Sequence, residues 1–184
     1  QTVLDQRLQL AARRRVSVRA EVDAALAAQE YTDQTSAPHA VLRFLAAPTD
    51  VNWGGKVHGG KVMRWIDEAA FLCAAQWTGA QVVASRIDGI RFYRPIVIGN
   101  MIEVRARLIH TAPRRLHISV HVRSSDVRTG QGDVAAHALT IFAALDDDGR
   151  AKATRQWSPV TDEDRRLDRH ALELAEVLRR AEVR

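Results

Sequence analysis

The stretch that most constrains this chain is residues 52–78, NWGGKVHGGKVMRWIDEAAFLCAAQWT. Gly54, Gly55, Gly59 and Gly60 fall within seven positions and make the first part an irregular loop. A long apolar segment follows, in which Val62, Met63, Trp65, Ile66, Ala69, Ala70, Phe71, Leu72, Cys73, Ala74, Ala75 and Trp77 cover nearly every helical face. Such a helix is expected to be buried. Asp67 and Glu68 interrupt it in the middle. An ionised carboxylate taken out of water is costly unless paired, so its presence here calls for a reason. For Glu68 the reason is a partner in Arg64 at i−4, or a subunit contact.

Loop and helix together suit acyl chemistry. Glycines allow a ligand to approach the backbone. The first turn of a helix offers free N–H groups and a partial positive charge, which favour a developing oxyanion. Asp67 follows Gly60 by two turns on nearly the same face, about 10 Å along the axis. A carbonyl at the N-terminus and a water on Asp67 need to be closer than that. The spacing therefore points to a site that joins the glycine loop of one subunit to Asp67 of another.

The rest of the chain reads as an antiparallel sheet with helical extensions. Strands are expected at His39–Ala46, Gln81–Tyr93, Met101–Thr111, Leu116–Arg123 and Val134–Leu145. The clearest is the fourth, where Leu116, Ile118, Val120 and Val122 alternate with His117, Ser119, His121 and Arg123. The long helix is expected to stop near Gly79. Thr161–Arg180 reads as a terminal helix capped by Thr161, with a stripe of Leu167, Ala171, Leu174 and Leu178 to bury on this domain or on another subunit. Residues 1–35 read as polar and helical, ahead of a linker at 32–38. The organisation is an N-terminal extension over 1–35, one domain over 36–159 and a C-terminal helix over 160–184.

Composition narrows the classes. The single cysteine excludes an internal disulfide and suits a reducing, cytoplasmic setting; on an apolar helical stripe, Cys73 is expected to be a core residue. No apolar run reaches the roughly 18 residues of a membrane span. The net charge of +5 lies wholly between the two extensions, each of which balances its acids and bases. That excess suits an anionic ligand or nucleic acid, or is a solvated basic surface. The seven histidines show no ligand spacing with the cysteine, so no metal is expected.

Asn52, then six positions on His58-Gly59-Gly60, then Asp67 nine positions after the histidine, resemble the signature of hotdog-fold acyl-CoA thioesterases. The stretch VVASRIDGIRFYRPIVIGNMIEV, with Asp88, Phe92, Pro95 and Gly99, and the stretch ALTIFAALDDDGR resemble that family's later strands. The resemblance spans residues 36–159. It implies an α+β hotdog fold, with a sheet of about five strands wrapped around one long central helix. It also implies hydrolysis of acyl-CoA to free acid and coenzyme A, by at least a homodimer and by extension a tetramer or hexamer, with no cofactor beyond the substrate's own coenzyme A. Asp67 would act as general base or as nucleophile. Gly59 or Gly60 would polarise the carbonyl through its N–H, Asn52 would hold the water or the carbonyl, and His58 would line the sulfur side. Ser85 stands near the family's water-contacting hydroxyl, where relatives carry a threonine and this chain has Ala84. Arg91, Arg94, Arg114 and Arg115 are the candidates for coenzyme A phosphates. The turn APRRL at 112–116 keeps the family's arginine but not its hydroxyls.

Two rivals stand beside this reading. One is a non-catalytic, acyl-CoA-sensing regulator whose N-terminus binds DNA through the Arg13-Arg14-Arg15 cluster; the charge balance of that segment argues against nucleic acid. The other is a hotdog dehydratase, which would want a histidine paired with Asp67 on the helix. Trp53, Met63, Trp65 and Phe71 are candidates to bound an acyl tunnel or to fill the core.

Overall fold

The chain is seen as a computed structural model describing residues 17, 20, 21, 24, 25, 28, 29, 31, 32, 35–51 and 54–182, with 88, 178 and 180–182 described by their backbone alone. Asn52, Trp53 and the arginines at 13–15 lie outside the described residues.

Helix α1 runs Gly59–Thr78. His58, extended at φ −68° and ψ 134°, caps its start, and Gly79 ends it in the left-handed region at φ 59°. There a β-carbon would crowd the preceding carbonyl, while glycine turns freely and returns its N–H to Ala75 O. Five strands form a single antiparallel sheet: β1 (His39–Leu45), β2 (Val82–Phe92), β3 (Met101–Ala112), β4 (Arg115–Ser125) and β5 (Gly132–Ala144), in spatial order β1-β3-β4-β5-β2. The expected strands are thus present, with ends shifted by one or two residues.

Helix α1 touches all five strands. Its buried stripe is Val62, Trp65, Ile66, Ala69, Ala70, Cys73 and Ala74. The small residues let the helix approach the sheet, where Ile102, Val104, Ala106 and Leu108 of β3 face Leu116, Ile118, Val120 and Val122 of β4 in one core. Trp65 meets Phe44 of β1 edge-on at 4.9 Å between ring centres. Burying each large aliphatic side chain of this core, such as Ile66 or Leu108, contributes about 1.5–3 kcal/mol.

One expectation fails for the single chain. Helix α1 is not covered on every side. Met63, Phe71 and Leu72 are 43%, 44% and 36% exposed, and Asp67 and Glu68 are exposed beside them. A flat layer of strands can cover one half of a cylinder, and the opposite half of α1 has nothing from the described residues upon it.

Helix α2 (Asp162–Glu182) lies on the other face of the sheet. Thr161 caps it as expected: Asp164 N–H donates to Thr161 Oγ1 at 3.0 Å, and Thr161 N–H donates back to Asp164 Oδ2 at 3.1 Å. Its stripe of Leu167, Ala171 and Leu174 buries against Ile109 and Leu139, so the stripe is used within the chain's own fold. The segment before β1 is tied to the same helix. Thr35 and Ser36 hydroxyls donate to Asp164, and Thr32 donates to Glu163. Burial alone would raise the Asp164 pKa, but the hydrogen bonds from Thr35, Thr161 and Ser36 outweigh it and bring it to about 2. Among the described residues no helix is long and apolar enough to cross a membrane.

Candidate active site

The glycine loop is pinned before it becomes a helix. Val57 N–H donates to Ile96 O at 3.0 Å, His58 N–H donates to Asp50 O at 2.9 Å, and Lys61 Nζ pairs with Asp50 at 2.9 Å. Val57 and Lys56 also form isolated bridges to Val51 and Val97. These contacts fix where the first turn of α1 points.

At that turn the two glycines differ. Gly60 N–H donates to His58 Nδ1 at 3.0 Å, so the imidazole satisfies it as a helix cap. Gly59 N–H has no acceptor among the described residues. A β-carbon on Gly59 would meet nothing within 4 Å, whereas one on Gly60 would lie 3.1 Å from His58 Nδ1. Gly59 also lines a hollow with Val57, Val62, Tyr93, Arg94 and Pro95. The open donor, the positive end of the helix dipole and an apolar-walled hollow therefore coincide at Gly59.

Asp67 is on the same helix but not in that hollow. It has no hydrogen-bond or ion-pair partner among the described residues, and it stands on the open face with Met63 and Phe71. Glu68 is different. Its carboxylate accepts from Arg64 Nε at 2.7 Å, the i,i+4 pair read from the sequence.

Ser85 sits at a bulge of β2, where the register with β5 slips between Ala84 and Arg86. Its hydroxyl donates to Ile141 O at 3.0 Å, so that proton is engaged in the sheet. Asn52 lies outside the described residues. The four arginines separate into two pairs. Arg91 and Arg94 are at the glycine-loop end, with Arg91 over the Tyr93 ring at 5.3 Å and Arg94 ion-paired to Asp133. Arg114 and Arg115 form the β3–β4 turn, which is bound to the segment after β5 through Thr154 N–H to Pro113 O. That segment reaches the C-terminal end of α1, since Trp77 Nε1 donates to Arg155 O. The two pairs thus lie toward opposite ends of α1.

Cys73 is buried, and burial pushes its thiol up to about 12, which removes it as a thiolate and fits the core role. Trp65 is core; Met63 and Phe71 are not. Among the described residues no three His, Cys, Asp or Glu side chains gather as a metal would require.

Sequence reading missed the outer face of the sheet. Ser119 and His137 are fully buried there, and Tyr31 reaches in from the N-terminal segment. The available signal was the alternation in β4, whose second set is His117, Ser119, His121 and Arg123 rather than a purely charged, solvated series.

Comparison with known proteins agrees with this fold. Residues 54–131 match the family model of the thioesterase superfamily. The acyl-CoA thioester hydrolase YciA of Salmonella typhimurium is 32% identical over 123 residues, 65% of this chain and 92% of that protein. The crystal structure of an apo-hexameric acyl-CoA thioesterase superposes with a TM-score of 0.77 at 29% identity, covering 82% of this chain and 97% of the other. The Staphylococcus aureus acyl-CoA hydrolase, solved with butyryl coenzyme A and coenzyme A, gives a TM-score of 0.73 at 28% identity over 79% and 89% of the two chains. With that degree of identity across nearly the whole of YciA, and with a central helix on an antiparallel sheet, the chain belongs to the thioesterase superfamily and is a hotdog-fold thioester hydrolase.

Proposed function

We propose that the chain hydrolyses acyl-CoA at sites shared between two copies of itself. The observation that carries this reading is that, among the described residues, Gly59 N–H at the head of α1 has no acceptor and Asp67 on that helix's open face has no partner. The thioester carbonyl oxygen accepts from Gly59 N–H, and the N-terminal dipole of α1 stabilises the negative charge that builds there. Asp67 of the other copy supplies the second function. Either it takes a proton from a water that attacks the carbonyl carbon, or it attacks that carbon itself and forms a mixed anhydride that water then opens. In both routes the carbon–sulfur bond breaks and coenzyme A leaves as a thiolate.

Two surfaces support association. The open face of α1 exposes Met63, Phe71 and Leu72, and the edge strand β2 exposes Val83, Ile87 and Phe92. A second copy laid against both would cover them and bring its own loop toward Asp67. The name of the apo-hexameric relative supports an assembly larger than a dimer. Arg91 and Arg94 stand at the loop end to meet coenzyme A phosphates, while Arg114 and Arg115, at the far end of the helix, are placed to serve a partner's site.

Variants of the Staphylococcus aureus hydrolase lend further support. In two of its structures, each 27% identical to this chain, one asparagine or one aspartate is exchanged for alanine. Those positions are fifteen apart, as Asn52 and Asp67 are here. A third variant exchanges a threonine seventeen positions after that aspartate, and the same count from Asp67 gives Ala84 rather than Ser85.

The test is Asp67→Asn, assayed with short, medium, long and aromatic acyl-CoAs and a thiol-trapping dye. The expected result is a fall in kcat of about 10²–10⁴-fold with an unchanged melting temperature. Near-normal turnover by a folded variant would reject Asp67 as the catalytic group.

A further inference from the structure

A helix starts with four N–H groups that find no acceptor within it. At the head of α1 each of the four can be followed. His58 N–H donates across the loop to Asp50 O at 2.9 Å. Gly60 N–H donates to His58 Nδ1 at 3.0 Å. Lys61 N–H donates to His58 O at 2.9 Å, inside the first turn. Gly59 N–H alone has no acceptor among the described residues, and Gly59 lines the hollow at Val57 and Pro95.

The imidazole of His58 lies across that turn. A β-carbon on Gly60 would stand 3.1 Å from its Nδ1 and 3.4 Å from its Cε1, so a larger residue at 60 would press on the ring. His58 has the extended backbone of an N-cap residue, at φ −68° and ψ 134°. Serine, threonine, asparagine and aspartate commonly fill such a position and offer a side-chain oxygen to the first turn. Here a ring nitrogen takes that task.

The bond also sets the tautomer. A neutral imidazole has one N–H and one lone pair, whereas a cationic one has two N–H groups. Nδ1 accepts from Gly60 only through its lone pair, so the proton of the capping ring is on Nε2. Nδ1 is thereby closed to the substrate as a base. Nor is the ring the acid that meets the departing thiolate, since giving up Nε2–H would leave an imidazolate.

We infer that His58 is a positioning residue whose ring caps α1 through Gly60 N–H and so holds the first turn in the form that keeps Gly59 N–H for the thioester carbonyl. The cap and the tautomer stand on the geometry of the loop; their consequence for the reaction rests on the hydrolase reading above. Without the ring, Gly60 N–H would be a second open donor and the turn that aims Gly59 would fray. A donor contributes to catalysis when it is already in place as the charge develops.

The first readout needs no substrate. Nitrogen–proton correlation spectra of the imidazoles in the full chain, with His58 assigned by its absence from His58→Asn, should show a bare Nδ1 and a protonated Nε2. A neutral ring with its proton on Nδ1 would overturn the inference. The second readout is kinetic. His58→Ala should lower kcat at least about fivefold, the size of losing an N-cap acceptor, with KM for acyl-CoA within about twofold of the parent. His58→Asn offers Oδ1 to Gly60 N–H and should recover most of that loss together with the melting temperature. Asparagine has no imidazole, so the recovery cannot come from a contact between ring and substrate. His58→Asp should recover the melting temperature but not kcat, because a carboxylate at the head of α1 opposes the oxyanion that forms there. Parental kcat in His58→Ala would overturn the inference. So would a large loss of kcat in a folded His58→Asn, whatever His58→Ala does, by making the ring itself a substrate contact. Asp67→Asn separates the two readings: it should lose turnover and keep the parental His58 tautomer. A parent chain with a bare Nδ1 but no turnover of any acyl-CoA would reject the hydrolase reading, and the part given to His58 in the reaction would fall with it.

Discussion

The two faces of α1 are made of similar residues and have opposite fates. Toward the sheet, Val62, Trp65, Ile66, Ala69, Ala70, Cys73 and Ala74 are all buried. Away from it, Met63, Phe71 and Leu72 remain partly exposed although they are as apolar. The difference lies in the partner. The first face has five strands of its own chain; the second has none among the described residues. In this chain the side of α1 that the described strands leave open also holds Asp67. On the proposed reading, that apolar area with a carboxylate among it is the half of a composite site that a second copy completes.

Five substitutions test that contrast. The largest effect is expected from Phe71→Asp on the open face. An unpaired charge placed in a buried interface costs about 3–5 kcal/mol. Sedimentation should therefore show a single-chain mass, and acyl-CoA turnover should be lost with it; an active oligomer would break the idea that this face is shared. Ile66→Ala on the sheet face should instead lower the folding stability of each chain by about 2–5 kcal/mol. Denaturant unfolding measures it, and an effect on association alone would invert the assignment of the faces.

Gly59→Pro is the sharper test of the loop. Proline removes the N–H, yet its fixed φ suits the first position of a helix, and His58 before it is already extended. A fall in kcat of about 10²–10³-fold with little change in melting temperature is expected, the size associated with one oxyanion donor. Gly59→Ala, which keeps the donor and meets no neighbour in the chain, should lose far less. The smallest effect belongs to Glu68→Gln. The Arg64–Glu68 pair is exposed, so the melting temperature should move by less than about 2 °C and turnover should not change. A large loss of activity would give Glu68 a role that its geometry within the chain does not suggest.

Much of this was readable beforehand because the signals were local. Gly79 ends α1 because an αL position follows the last turn, and Thr161 caps α2 because its hydroxyl reaches Asp164 N–H. The alternation in β4 placed Leu116, Ile118, Val120 and Val122 on one face. Other features depended on distant partners. The outer face of the sheet was invisible for that reason: Tyr31 and His137 are 106 residues apart, and neither belongs to a motif.

The sequence alone determined the helix, its glycine entry, the strands and the carboxylate at a fixed turn of that helix, because periodicity and capping act within a few residues. Only the tertiary structure decided which half of α1 is covered by the described strands, and that Ser119, His121 and His137 gather beneath Tyr31. Those outcomes depend on which side chains the sheet order brings within hydrogen-bond reach, and that order joins residues whose separation along the chain carries no local signal.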